Sequence, residues 1–337
     1  MRATAMIRRV WAAQAGRVAI ALALTTAATF VAEARAQPTG NQSRSDTEWL
    51  LAIQNAAQRS NYSGTIYYQQ GAEVRSSRIV HQFDGSVSYE RVRVLDGERR
   101  EYLRKGDAVQ CLLPDAKRVI LEKRPTGGNF PALSNSAPAE ILRFYNLRLG
   151  AVDRVADLEC QVILLEPKDR VRYGYRLWVE RTTGLLLRAQ MLNERQDVIE
   201  QMAFTEVRIG ETFDAGRLKP SWSTDGWRVD KVETKPVDLG WTLVVPDGFR
   251  QLSAVVRRFA RGGGRDTLQA VYSDGLATFS VFIEPDTGGT PSSKVGSKGP
   301  INAYVHWLGD TMITVVGEVP ADTVRNVALS VKAPQAR

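Results

Sequence analysis

Hydrophobic and polar positions alternate through most of this chain. In "YSDGLATFSVFIEP", residues 272–285, an Asp274-Gly275 turn leads into Ala277, Phe279, Val281 and Ile283 on one side. Thr278, Ser280 and Glu284 lie on the other, with Phe282 the apolar exception. A period of two marks a half-buried strand leaving a hairpin. The same period runs from Tyr62 through "SGTIYYQ", "VRSSRIVHQF", "VSYERVRVL", "REYLRK", "VQCLL" and "KRVILEK". Gln70-Gly71, Asp84-Gly85, Asp96-Gly97, Gly106-Asp107 and Pro114-Asp115 separate these runs. Such pairs suit tight turns, so the pattern predicts an antiparallel meander. Ahead of it, Ser45-Asp46-Thr47-Glu48 fits a capping box, and Leu50, Ile53, Ala56 and Ala57 follow at helical spacing. Arg59-Ser60-Asn61 ends that helix.

The meander gives way to a Pro/Gly/Ser-rich loop, residues 124–138. Ser136 there is expected to cap a short helix through Pro138, Ile141, Leu142 and Tyr145. Strands resume at "LECQVILLEP", "YGYRLWVE", "GLLLRAQML" and "VIEQMAFTEVRI". Roughly ten strands and two helices thus fall within residues 37–215. A sheet of that size must curl, and its inner face needs a cover. Residues 216–238, with Pro220, Trp222, Trp227 and Pro236, read as a linker. Residues 239–333 carry a smaller strand pattern and a last helix from Ala321 to about Val331. The predicted class is α+β, mostly antiparallel β, in two domains.

The N-terminus changes the charge picture. Arg2, Arg8, Arg9 and Arg17 precede the apolar run "VAIALALTTAATFV", and Ala34-Arg35-Ala36 follows. The run is shorter than the roughly 20 residues of a spanning helix. Residues 1–36 therefore read as a secretory signal peptide cleaved near Ala36. That segment holds five arginines (with Arg35) and one acid, Glu33, so its removal halves the net charge of +8. A nucleic-acid partner loses its main support, and none is expected. Export permits a disulfide between Cys111 and Cys160, which would stabilise by roughly 3–4 kcal/mol. Two buried thiols in different strands are the other reading, and both stay open.

Catalytic signatures are missing from the sequence. The two histidines, His81 and His306, fall in different proposed domains, and each reads as a surface or packing residue. There is no G-x-S-x-G elbow, H-E-x-x-H, metal-spaced Cys/His cluster, or phosphate-binding glycine loop. No enzyme activity, metal or cofactor is expected. Tyr173, Tyr175, Leu177 and Val179 share one strand face. Tyr175 and Leu177, with Leu187, Met191, Met202 and Phe204, are the candidates to line an apolar cavity; filling a core is the competing reading. Arg257, Arg258, Arg261 and Arg265 surround Gly262-Gly263-Gly264. They are a candidate patch for an acidic peptide or lipid headgroup, or charge that discourages edge pairing.

The strings "YSDGLATFSVFIEP" and "INAYVHWLGDTMITVVGEVPADTVRNVALSV" resemble the MucB/RseB proteins of Gram-negative bacteria. "NYSGTIYYQ" and "YGYRLWVERTTGLLLRAQML" are similar to that family's large domain. The resemblance implies a periplasmic negative regulator of an envelope-stress sigma factor. It would bind the periplasmic region of a transmembrane anti-sigma factor and shield it from regulated proteolysis. The large domain would be an unclosed β-barrel with covering helices, like the lipoprotein carriers, that senses lipid or lipopolysaccharide. Homodimerisation stays open. A periplasmic lipid or lipoprotein carrier is the alternative, but a carrier needs only the large domain.

Overall fold

The computed structural model describes residues 44–123, 136–231, 235–258, 266–285 and 293–334. Helix α1 (Asp46–Arg59) precedes strands β1 (Tyr62–Gln70), β2 (Glu73–Phe83), β3 (Ser88–Val94), β4 (Glu101–Lys105), β5 (Ala108–Leu113) and β6 (Arg118–Lys123). Helix α2 (Pro138–Phe144) runs straight into β7 (Tyr145–Val155). Then come β8 (Leu158–Pro167), β9 (Gly174–Glu180), β10 (Leu186–Leu192), β11 (Val198–Ile209) and β12 (Arg228–Lys231). The last part holds β13 (Lys235–Pro236), β14 (Arg250–Arg258), β15 (Asp266–Ser273), β16 (Thr278–Pro285), β17 (Lys294–Lys298), β18 (Ile301–Leu308), β19 (Thr311–Gly317) and α3 (Ala321–Ser330).

Two sheets result. The first has twelve strands in the order β12-β6-β5-β4-β3-β2-β1-β11-β10-β9-β8-β7. Its ends, β12 and β7, remain edges, so the barrel is unclosed. Two meanders, β1–β6 and β7–β11, join where β1 pairs antiparallel with β11. At that joint a Cβ on Gly64 would lie 2.1 Å from the Glu206 carbonyl oxygen, so only glycine lets the two backbones come this close. The second sheet has seven strands in the order β13-β14-β15-β16-β19-β18-β17.

Amphipathic faces set the packing. The capping box forms as the sequence predicts: the Glu48 amide donates to Ser45 Oγ, and the Ser45 amide donates to Glu48 Oε2 at 2.6 Å. Trp49, Leu50 and Ile53 then lie on one stripe of α1. With Ile141 of α2 they cover Ile163, Leu165, Tyr175, Leu177, Ala189 and Met191. In the smaller sheet, Val324, Val327 and Ala328 of α3 pack on Phe279, Val281, Ile313 and Val315.

Several elements differ from the sequence expectation. Ser136 does not cap α2. The cap position is Ala137, and Pro138 opens the helix with no side-chain bond. Strand β7 was not predicted because it is an edge whose period is broken by a bulge between Leu149 and Val152, both about half exposed. Strand β17 has no buried residue, hence no apolar face to announce it. Strand β12, inside the expected linker, is four residues that pair parallel to β6.

The disulfide left open above is not formed. Cys111 on β5 and Cys160 on β8 are unbridged, with seven strands between theirs in the sheet. Cys111 is half-buried and Cys160 fully buried. Burial pushes the Cys160 thiol up to about 11, helped by the charge of Glu180. Without reductant, a maleimide at neutral pH should label Cys111 first and Cys160 only after denaturation. Intact mass should then show two adducts; no adduct in denaturant would mean a bridge exists.

Candidate functional site

The two sheets meet around one buried cation. Arg172 stands in the short connection between β8 and β9, and its side chain is wholly buried. Its Nη1 donates to Asp274 Oδ2 at 2.5 Å, in the turn between β15 and β16. Its Nε donates to Asp169 and its Nη2 to the Asp247 carbonyl. The guanidinium plane lies over Phe144 at 4.7 Å and Phe249 at 5.0 Å. Burial alone would lower its pKa, but the Asp169 hydrogen bonds and the Asp274 charge outweigh that and raise it. An arginine fits this place because its planar fork satisfies several acceptors at once and stacks on rings.

The hairpin turn is shaped to deliver Asp274. Asp274 Oδ1 accepts from the amides of Leu276 and Ala277, both at 2.8 Å, which leaves Oδ2 for Arg172 and the Tyr145 hydroxyl. Gly275 has φ +105°, and a Cβ there would strike Ser136 Oγ at 2.4 Å. This turn therefore needs glycine both for conformation and for space. Leu276 then enters the apolar cluster beneath α1 and α2. The hairpin that opened the sequence reading is thus a plug set into the larger sheet.

A second line of contacts continues along the seam. Asn302 Nδ2 donates to the Tyr173 hydroxyl at 2.9 Å, and Thr323 Oγ1 donates to the Val171 carbonyl at 3.1 Å. Lys298 of β17 pairs with Glu73 of β2 at 2.9 Å. Beside Arg172 an open cleft of about 340 Å³ is lined by Glu166, Asp169, Arg170, Asn193, Glu194 and Gln196. Pro167, Gly174 and Leu192 complete its lining, which mixes polar and apolar surface.

The predicted site residues fall as follows. Tyr175, Leu177 and Met191 are buried in the cluster under α1 and α2. Leu187 and Phe204 belong to a neighbouring cluster with Tyr62, Ile79 and Trp178. Met202 is half-buried. None of the six lines the cleft beside Arg172. Directly opposed residues of β2 to β6 give one row, Ile79, Val92, Tyr102, Cys111 and Ile120, on one sheet face. Ile79 is buried and the other four are half-buried. This row, and not the Tyr175 strand face, is the less covered apolar surface. Arg257 and Arg258 end β14, opposite Thr267 and Asp266; Arg261 and Arg265 lie outside the described residues. His81 is a packing residue: it stacks on Tyr62 at 5.0 Å, its Nδ1 lies 2.8 Å from the Ser60 carbonyl, and burial lowers its pKa.

Sequence reasoning missed Arg172 and Asp274. "DRVRYG" looks like an ordinary charged turn, and "YSDG" like an ordinary hairpin turn. Nothing local shows that they meet across 102 residues. The one available signal was Leu276, an apolar residue at the tip of a turn.

A family model described as the MucB/RseB N-terminal domain matches residues 45–222, and one described as the MucB/RseB C-terminal domain matches residues 235–332. The chain belongs to the MucB/RseB family. It is 30% identical to the sigma factor AlgU regulatory protein MucB of Pseudomonas aeruginosa over 304 residues, 86% of this chain and 92% of that one. It is 28% identical to the sigma-E factor regulatory protein RseB of Salmonella typhimurium, over 84% of this chain and 89% of the relative. Its structure is similar to MucB in a crystal structure of MucB with MucA(peri). There the TM-score is 0.71 at 29% identity, covering 87% of this chain and all of that one. The MucB/RseB match assigns the two sides of the junction to different halves. Tyr145 and Arg172 lie in the N-terminal match, and Asp247, Phe249 and Asp274 in the C-terminal one.

Removing one partner of a buried charge pair costs about 3–5 kcal/mol, since the other charge is left without its counterion. Arg172→Met is expected to destabilise by that order and to split calorimetric unfolding into two transitions. Asp274→Asn keeps the turn acceptor and should cost less. The double variant should deviate from additivity by more than about 1 kcal/mol. Additive losses with a single transition would show that the pair does not couple the sheets.

Proposed function

We propose that this protein is a periplasmic negative regulator of an envelope-stress sigma factor. It is exported, with its signal segment removed near Ala36. It binds the periplasmic region of a transmembrane anti-sigma factor and shields that region from regulated proteolysis. The observation that carries this reading is the end-to-end likeness to MucB in its complex with MucA(peri), which spans both sheets and the junction between them. A carrier that only hands on cargo has no use for a second sheet keyed into the first by Arg172 and Asp274. That feature favours the regulator over the carrier.

Lipid or lipopolysaccharide is the proposed releasing ligand. The half-buried row from Val92 to Ile120 on the larger sheet supports an acyl-chain site there. Each methylene moved from water onto such a surface contributes roughly 0.8 kcal/mol. A ligand shifts a regulator only by binding its two states unequally. The proposal is therefore that the chain is accommodated better in the state with lower partner affinity.

Calorimetric titration of residues 37–337 with the periplasmic fragment of the anti-sigma factor from the same genome tests both parts. Binding at about micromolar Kd or tighter is expected, weakened when lipopolysaccharide fragments are added. Lipid binding without any binding of the fragment would leave the carrier as the reading.

A further inference from the structure

Away from Arg172, the seam between the two sheets sets acid against acid. Glu200 of β11 is 2% exposed, and its Oε2 has no hydrogen-bond partner. It stands opposite Gln70 of β1 and Met191 of β10. Tyr68 and Gln70 of β1 supply the hydrogen bonds it has. Tyr175 of β9 is buried within reach of its charge. From the other sheet comes Glu318, in the link from β19 to α3, whose charge acts directly on Glu200. At this end of the seam Lys298 of β17 is taken by Glu73 of β2. The fit is close, since a Cβ on Gly299 would lie 2.4 Å from the Gln70 side chain.

We propose that Glu200 and Glu318 form a proton-controlled latch between the two sheets, closed while they hold a proton and released when both ionise. Two carboxylates brought together in a buried place cannot both carry charge without a counterion. Opening the seam returns them to water and relieves that repulsion. The Arg172 end has its acceptors and behaves as the fixed side, so the seam yields at the acidic end.

Burial first, and the Glu318 charge second, push Glu200 up to about 7 against the hydrogen bonds of Tyr68 and Gln70. Burial raises Glu318 as well. An acid whose pKa is raised in the closed state makes closure proton-dependent. Closure is fullest below the ordinary glutamate range, weakens as pH rises above it, and has lost this contribution once pH passes about 7. A rise of this size changes the closed-to-open ratio by on the order of a hundredfold. The inference does not depend on the identity of the partner, because it is read on the protein alone.

Small-angle scattering of residues 37–337 from pH 5 to 8.5 tests it. The radius of gyration is expected to rise with pH between the ordinary glutamate range and about 7, the value to which burial pushes Glu200, and to level off above it. Glu200→Gln should give a flat, compact profile. Glu318→Gln, at a half-buried position, removes one of the two charges that drive opening, so it should shrink the rise or move it to higher pH, and it can be read even if the first variant does not fold. A flat wild-type profile would overturn the latch, and so would a Glu318→Gln profile equal to that of the wild type.

Discussion

The arrangement of the two sheets depends on where one buried guanidinium finds its counterion. The Arg172 side chain leaves the larger sheet wholly buried, and Asp274 comes from the smaller sheet to meet it. Asp274, wholly buried, depends on Arg172 for its counterion, while Arg172 shares its charge between Asp274 and Asp169. Everything adjoining is consistent with that constraint. Phe144 and Phe249 close the two ring faces, Asp247 takes the remaining donor, and Gly275 and Gly248 remove the Cβ atoms that would hold the parts apart. A purely apolar contact of the same size would be as stable or more so, but it would accept other registers. The bonded pair fixes one.

The opposite end of the seam has the opposite electrostatics. Each guanidinium nitrogen of Arg172 has an acceptor, whereas a buried carboxylate oxygen of Glu200 has no hydrogen-bond partner and lies within reach of the Glu318 charge. An interface with one satisfied and one frustrated end bends at the frustrated end. Apolar burial along the middle, with Val319 and Tyr173 both largely buried, keeps the parts together while the ends differ.

How much of this was legible follows from the kind of signal each feature leaves. Amphipathic elements left periodicity, so α1 with its capping box, the β1–β6 meander, β8–β11 and α3 were read from sequence. The edges β7, β12 and β17 were not, because an edge strand lacks the buried face that makes a period visible. The aromatic and aliphatic face of Tyr175, Leu177 and Met191 was read correctly as inward. Covering helices were expected, and α1 and α2 are there; Leu276 from the smaller sheet, which completes the cluster, was not foreseen. The bond between distant turns, Arg172 with Asp274, leaves no local trace at all, and neither does the approach of Glu318 to Glu200 of β11. They become visible only when the chain has folded and burial has been assigned.

The β1–β2 hairpin ties these regions together. Its inward side chains Ile66 and Ile79 belong to the apolar cluster that continues into the less covered row of β3 to β6. Its outer end carries Tyr68, Gln70 and Glu73 to the seam, against Glu200, Gly299 and Lys298. A strand paired on both sides is stiff, because successive residues are held by ladder bonds alternately to one neighbour and the other. β1 lies between β2 and β11, so its two ends cannot move independently. A ligand that lifts Ile66 or Ile79 therefore acts on the same rigid element that positions Tyr68 and Gln70. Coupling between the proposed acyl-chain site and the seam would need no chain of side chains between them, only one hairpin shared by both.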